Sequence, residues 1–406
     1  MHTAPRYFLV VLAIVVSVHY ILSFTHDGYG RATSISRFMR PRPDNTVPDE
    51  YYTNHLMNSS LHIASRGRAN ATFVILARNS DLENTVRSIR RIEDRFNTRH
   101  HYPFVLLNDE PFTDEFKRRV SAVVSGQIMY GQVPREHWVQ PDWIDEDLAT
   151  KGRDALVADN VIYGGSVSYR NMCRFNSGFF FKHPLMEQFR WYWRIEPDVH
   201  FHCDINFDPF LFMQDRNKVY GWTITMYEFD KTIPSLWGHV RDFIKLHPEH
   251  IAKDNALGFM THDNGERYNL CHFWSNFEIA DMNFWRGKAY QDFFEYLDSK
   301  GGFYYERWGD APVHSIAAGL FAHRDQLHFF EEIGYEHNPY THCPKDPDMW
   351  RKNRCGCEPS RSFGGQTTTD TRACGSGTSS WATSEPATTP VKRLSTIRYA
   401  TRFVVL

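Results

Sequence analysis

Strong charge of either sign is missing from this chain. Its 46 Lys and Arg stand against 48 Asp and Glu, a formal net charge of −2 over 406 residues. The balance leaves no global electrostatic argument for nucleic acid or an anionic lipid surface as partner. No internal repeat is visible, so a stacked-repeat architecture is excluded. Cysteine is sparse and odd in number: seven, at positions 173, 203, 271, 343, 355, 357 and 374. Cys355-Gly356-Cys357 has neither zinc-knuckle nor thioredoxin spacing, so structural bonding is the simpler expectation. Aromatics are plentiful instead, at 15 %, with 31 Phe, 20 Tyr and 11 Trp. They suit a thick core and surfaces on which sugar rings can stack.

Residues 7–24 form one mainly apolar run, YFLVVLAIVVSVHYILSF. As a helix it would reach roughly 27 Å, close to the ~30 Å hydrocarbon core of a bilayer. No persuasive small-residue cleavage site follows, so the run reads as a signal anchor, with a cleaved leader as the alternative. Residues 1–6 become a cytoplasmic tail and the bulk of the chain becomes luminal. The sequons at Asn58 and Asn70 agree with a secretory route. Residues 25–68 are polar and turn-rich, as in a stem. From 359 to 406 the chain is rich in Ser, Thr and Gly and is expected to be disordered.

Between 69 and 358 the pattern is that of a folded domain. Residues 72–77 are a short apolar run suited to a buried strand. Ser80 and Glu83 make a capping-box pattern, and Leu82, Val86, Ile89, Ile92 and Phe96 share one helical face. Residues 104–107 and 128–130 are further strand candidates, with a helix expected over 115–124. This alternation predicts an α/β sheet with a parallel core. Strands are also expected at 178–181 and 191–195, and helices at 287–299 and 311–321. In such sheets ligands bind beyond the carboxyl ends of strands, which makes Arg78 and Asn79 candidate nucleotide contacts.

A transferase acting on a nucleoside diphosphate sugar has to neutralise two phosphates, and a hard cation held by carboxylates does so. Glu196-Pro197-Asp198 puts two carboxylates at the exit of the strand 191–195, although acidic-Pro-acidic also marks ordinary turns. His200, His202 and Asp204 follow with period two, where a solvated strand face is the plainer reading. Glu278 lies inside the aromatic stretch FWSNFEIAD, where burial demands a partner. A structural ion pair, for instance to an arginine, would explain it equally well. Asp310 opens a helix, and an N-cap role alone would account for it. His314 and His337 are possible ligands or acid–base groups among 21 histidines.

Taken together, Tyr169-Arg170-Asn171-Met172-Cys173-Arg174-Phe175, EPDV at 196–199, NLCHFWSNFEIADMNFWR at 269–286, GGFYYERWGDAPVHS at 301–315 and GYEH at 334–337 resemble the fungal Golgi α-1,2-mannosyltransferases. The resemblance spans roughly residues 70–345. It implies a GT-A-like fold with a mixed, mainly parallel central sheet, behind a transmembrane helix. It also implies a GDP-mannose donor, Mn²⁺ and transfer, with retention, to mannose-terminated O- and N-linked glycans on glycoproteins. The expected location is the Golgi membrane, as a single-pass type II protein. Position by position, Glu196 and Asp198 resemble the family's metal-site carboxylates and His337 its metal-site histidine. Tyr169 resembles the active-site tyrosine and Glu278 the carboxylate proposed as nucleophile, with Asp310 as a polar contact; Arg78 stays a donor contact by its place after the first strand. Retention is compatible with a covalent intermediate or with front-side attack. The alternatives are another linkage, mannosyl phosphate transfer, a glycoside hydrolase, or a silent luminal sugar-binding protein.

Overall fold

The structure, a computed structural model, describes residues 17–19, 22, 25, 46–48, 51, 52 and 67–363. The chain divides into Met1–Thr46 and Val47–Leu406. The expected anchor, stem and C-terminal tail fall largely outside the described residues. Among those described, no helix is long and apolar enough to cross a membrane.

Among the described residues, the unit from Val47 onward contains twelve strands. The central sheet contains β1 (Ala71–Leu76), β2 (Phe104–Asn108), β3 (Ile128–Gln132), β4 (Trp191–Arg194), β6 (Tyr220–Trp222), β9 (Glu278–Asp281) and β10 (Leu327–Phe329), in the order β10-β6-β9-β4-β1-β2-β3. β9 alone runs against its neighbours, pairing antiparallel with β4 and β6. All other pairings in this sheet are parallel. Strands β5 (Val199–Phe201), β11 (Tyr335–His337) and β12 (Tyr340–His342) make a smaller sheet, and β7 (Thr225–Tyr227) pairs with β8 (Cys271–Phe273).

The large sheet is buried on both faces, which is why its strands read as unbroken apolar runs. Side chains alternate across it. Phe73, Ile75, Leu106, Trp193 and Ile279 enter one core, while Val74, Val105, Leu107, Tyr192 and Ala280 enter the other. Each large side chain so buried contributes about 1.5–3 kcal/mol. Val47 joins the first core, and Tyr52 lies against Phe207 at 5.4 Å, so this end of the stem segment packs on the body.

Helices cover the faces. Helix α1 (Leu82–Ile92) follows β1, and α2 (Asp114–Ser121) follows β2. Further on are α3 (Val167–Gly178), α4 (Leu236–Leu246), α5 (Lys288–Asp298) and α6 (Asp310–Phe321).

Three local expectations change. Ser80 does not cap α1; a 3₁₀ turn, Asn79–Asp81, intervenes, and Asp81 Oδ2 accepts the Arg78 N–H at 2.9 Å. The strand expected at 178–181 is instead the end of α3 and a 3₁₀ turn, Phe180–Lys182. There the aromatic run buries itself against helices: a Cβ on Gly178 would lie 1.9 Å from the Phe294 ring. The helix expected over 115–124 is α2, which starts at Asp114 because Thr113 Oγ1 caps the Phe116 N–H, and ends early at Ser121.

The Cys355-Gly356-Cys357 pair is structural: Cys203 bonds Cys355 and Cys343 bonds Cys357. Cys271 is also disulfide-bonded, whereas Cys173 is a buried free thiol.

Candidate active site at the carboxyl edge of the sheet

Because β9 is reversed, its first residue lies beside the last residue of β4: Glu278 is opposite Arg194. A strand of the parallel set would have carried Glu278 to the far edge. The reversal delivers a buried carboxylate to the edge where ligands bind in open α/β sheets. Arg78, just past β1, Glu196, just past β4, and Asp310, at the start of α6, arrive at the same edge.

Glu278 is 1 % exposed and fully engaged. Tyr192 donates its hydroxyl to Oε1 at 2.9 Å; Tyr220 donates to Oε2 at 3.0 Å, and His314 Nδ1 lies 3.0 Å from Oε2. Trp285 donates its indole N–H to the Tyr192 hydroxyl at 2.9 Å, and the His314 ring stacks on Trp285 at 4.4 Å. Burial, then the Glu278 charge, pushes both phenols well above their usual range, so they remain protonated donors. The expected arginine partner is near but does not bond Glu278. Two tyrosines and a histidine satisfy it instead, and it lines an enclosed space with Leu76, Asn176 and Arg194.

Arg194 spends its guanidinium elsewhere. Its Nη1 donates to Asp310 Oδ2 at 2.5 Å and its Nη2 donates to Glu196. Ser275 Oγ also donates to Asp310 Oδ2, at 2.7 Å. The N-cap explanation for Asp310 therefore fails: Gly309 holds the cap position, and the carboxylate faces Arg194. Burial alone would raise the Asp310 pKa, but Arg194, His314 and Ser275 outweigh it and hold it below the ordinary value. Glu196, Asp310 and Glu278 thus gather around a single arginine. The surplus negative charge suits a cation.

The small sheet supplies the rest. β5 pairs with β11 so that Val199 is opposite His337, which puts Asp198 and His337 at one end of that ladder. Asp198 adopts φ +66°, a left-handed conformation uncommon for a non-glycine residue that turns the chain between β4 and β5. Its carboxylate is about half exposed, 3.8 Å from Arg87. His337 Nδ1 lies 2.9 Å from Asn276 Nδ2, while Asn276 Oδ1 is buried without a partner. Either end of that amide can face the ring. With Oδ1 accepting from Nδ1–H, the Nε2 lone pair is left for a cation, the usual second contact of a metal-bound histidine. One imidazole and two carboxylates form a donor set that Mn²⁺ accepts. The ligand atoms are not yet gathered: among the described residues, the only three His, Cys, Asp or Glu whose ligand atoms lie within 4.8 Å of one another are His247, His250 and Asp292.

Tyr169, in the first turn of α3, is half-buried. It stacks on Tyr163 at 4.6 Å and has the Arg307 guanidinium 5.1 Å from its ring centre. Burial raises its pKa well above the usual phenol value, with Cys173, Glu228 and Asp310 adding to the rise and the Arg307 charge opposing it. Arg78 reaches this helix too, donating to Ser168 Oγ at 2.6 Å. Of the period-two ladder, His202 meets Thr341 and Glu336, and Asp204 meets Arg95 at 2.6 Å, so these groups serve the small sheet.

Sequence reasoning missed Arg194, Ser275, Asn276, Tyr192 and Tyr220. Only Arg194 carried a signal, as a lone cation in the run Trp191-Tyr192-Trp193-Arg194-Ile195.

Residues 36–375 match the family described as glycolipid 2-alpha-mannosyltransferase. The chain is 53 % identical over 296 residues to glycolipid 2-alpha-mannosyltransferase 2 of Candida albicans, covering 73 % of this chain and 64 % of that protein, slightly under two thirds of its length. It is also 53 % identical over 296 residues to alpha-1,2 mannosyltransferase KTR1 of Saccharomyces cerevisiae, covering 73 % of this chain and 75 % of that one. Among solved structures it superposes on core-mannan synthase A of Aspergillus fumigatus in its Mn/GDP form, with TM-score 0.71 and 38 % identity over 82 % of this chain and 90 % of that one.

Proposed function

Since the chain belongs to the glycolipid 2-alpha-mannosyltransferase family, we propose that it transfers mannose from GDP-mannose, with retention, to the 2-hydroxyl of a terminal mannose on a protein-linked glycan. The observation that carries this reading is the charge cluster at the carboxyl edge. Arg194 bonds two carboxylates, Asp310 and Glu196, with Glu278 opposite it, and Asp198 and His337 lie at one end of the β5–β11 ladder. The solved relative binds manganese and GDP.

Glu196, Asp198 and His337 would hold Mn²⁺, which when bound supplies positive charge against the departing diphosphate. Arg78, past the end of β1, is placed to bind the nucleotide phosphates and is steadied by Ser168. Arg194 bonds both Glu196 and Asp310, so Glu196 is oriented before the donor arrives. Tyr169, held by Tyr163 and Arg307, offers a fixed phenol to the sugar. Glu278 carries a negative charge that opposes the cationic character developing at the anomeric carbon. Bonded to Tyr192, Tyr220 and His314, Glu278 is held in place as a charge stabiliser, and these bonds damp the nucleophilicity of the lone pair left on Oε1.

The apolar run 7–24 supports a Golgi membrane anchor with the catalytic unit in the lumen. The test is transfer by the full chain from GDP-mannose to methyl α-mannoside, with and without Mn²⁺, followed by linkage analysis of the product. An α-1,2-linked, Mn²⁺-dependent product is expected. Metal-independent release of mannose from glycans without transfer, or another linkage, would overturn the reading.

A further inference from the structure

Far along the chain from Glu196 and Asp198, a second group of ligand-type side chains converges. We propose that His247, His250 and Asp292 form a site for a divalent transition cation of the zinc class, bracing the end of α4 against α5.

His247 follows α4 directly, Pro248–His250 forms a 3₁₀ turn, and Asp292 lies on α5. One ligand atom from each of the three residues lies within 4.8 Å of the other two. His250 Nε2 is 2.7 Å from Asp292 Oδ2. Glu249 Oε1 sits between the rings, 3.1 Å from His247 Nδ1 and 3.9 Å from His250 Nε2. The two imidazoles lie nearly parallel, with centres 5.3 Å apart and planes inclined by 13°, both packed against Phe243. Packing therefore presets the rings, which lowers the ordering cost of binding an ion.

Two imidazoles and one carboxylate, with Glu249 or water as a fourth ligand, make a tetrahedral N/O set that suits zinc better than the harder manganese. Lys288 now places its ammonium 2.7 and 2.9 Å from the two Asp292 oxygens. A cation at this carboxylate thus already exists, and a bound metal would compete with it. The plain alternative is a set of polar contacts at a helix end, in which His250 bonds Asp292 and no ion is held. The two readings differ in their response to loss of either imidazole and to removal of Lys288, because only a bound metal needs the imidazoles and competes with the Lys288 ammonium.

The test is zinc binding by the purified full chain, with stoichiometry from equilibrium dialysis at pH 7.5. Wild type should hold one zinc ion more than His250→Ala or His247→Gln. His247 is only partly buried, beside Phe243, and Gln keeps a polar side chain of similar size there, which keeps the comparison interpretable. Both variants should retain Mn²⁺-dependent transfer. Lys288→Ala, which removes the competing ammonium, should tighten zinc about fivefold. Equal stoichiometry in wild type and both variants, or unchanged zinc affinity in Lys288→Ala, would overturn the proposal.

Discussion

Replacing Glu278 by Gln separates the chemistry of that carboxylate from its part in the core. Gln keeps the shape but removes the charge from a group that accepts from Tyr192, Tyr220 and His314. A hydrogen bond to a charged acceptor is worth about 1.5–3 kcal/mol and a neutral one about 0.5–1.5 kcal/mol, so three weakened bonds cost about 3–4.5 kcal/mol. The phenols and the imidazole can rotate or change tautomer to meet the new amide, which keeps the loss near the lower figure. That lowers the melting temperature by several degrees without unfolding the chain. If Glu278 opposes charge in the transition state, transfer to methyl α-mannoside should fall at least ~10³-fold, about 4 kcal/mol, while GDP binding by calorimetry stays within a few-fold. Turnover within about fivefold of wild type, beside the expected thermal shift, would refute the catalytic role and leave Glu278 a structural carboxylate. Glu278→Ala is less informative: it strands three buried donors at about 1–3 kcal/mol each and should yield little folded protein.

Four further outcomes are expected. Asp310→Ala leaves Arg194 buried with one carboxylate fewer and should cost about 3–5 kcal/mol in urea unfolding. Asn276→Ala removes the group that orients His337, so the Mn²⁺ concentration for half-maximal transfer should rise about 10–100-fold with little change in stability. Cys203→Ser opens a bond between residues 152 apart and should cost roughly 5 kcal/mol by loop entropy, read as a lower denaturant midpoint. Glu332, buried and bonded to the Val47 N–H, has its pKa raised to about 7, chiefly by burial. Its folded state therefore holds a proton that the unfolded chain releases near pH 4.3, so stability should decline as pH rises from about 4.5 to 7. Glu332→Gln should flatten that decline in pH-dependent melting.

Much of the scaffold was legible because its signals are local. The apolar run before Arg78 and the period-two face switch in Thr72-Phe73-Val74-Ile75 follow from backbone geometry, and β1 occupies Ala71–Leu76. The same holds for the helix beginning near Pro312, observed as Asp310–Phe321. The segment 178–181 was misread because an unbroken aromatic run is compatible with a strand or with packed helix ends. What decides between them is the distant Phe294 ring against Gly178. Asp310 stayed open between two readings for a similar reason: an aspartate at a helix start is a sound local cap, and only the approach of Arg194 from β4 gives it a stronger partner.

By itself the sequence determined the strand–helix alternation, the acidic turn after β4, the tyrosine on α3 and the family-like segments that carry them, since each is written in contiguous residues. Tertiary structure decided which of these meet. The reversal of β9 sets Glu278 beside Arg194, and the β5–β11 pairing sets His337 beside Val199, across separations no local pattern encodes. It also chose the partners of the buried carboxylate. A charge removed from water takes whichever donors the closed core presents, and here those are Tyr192, Tyr220 and His314 from three separate elements.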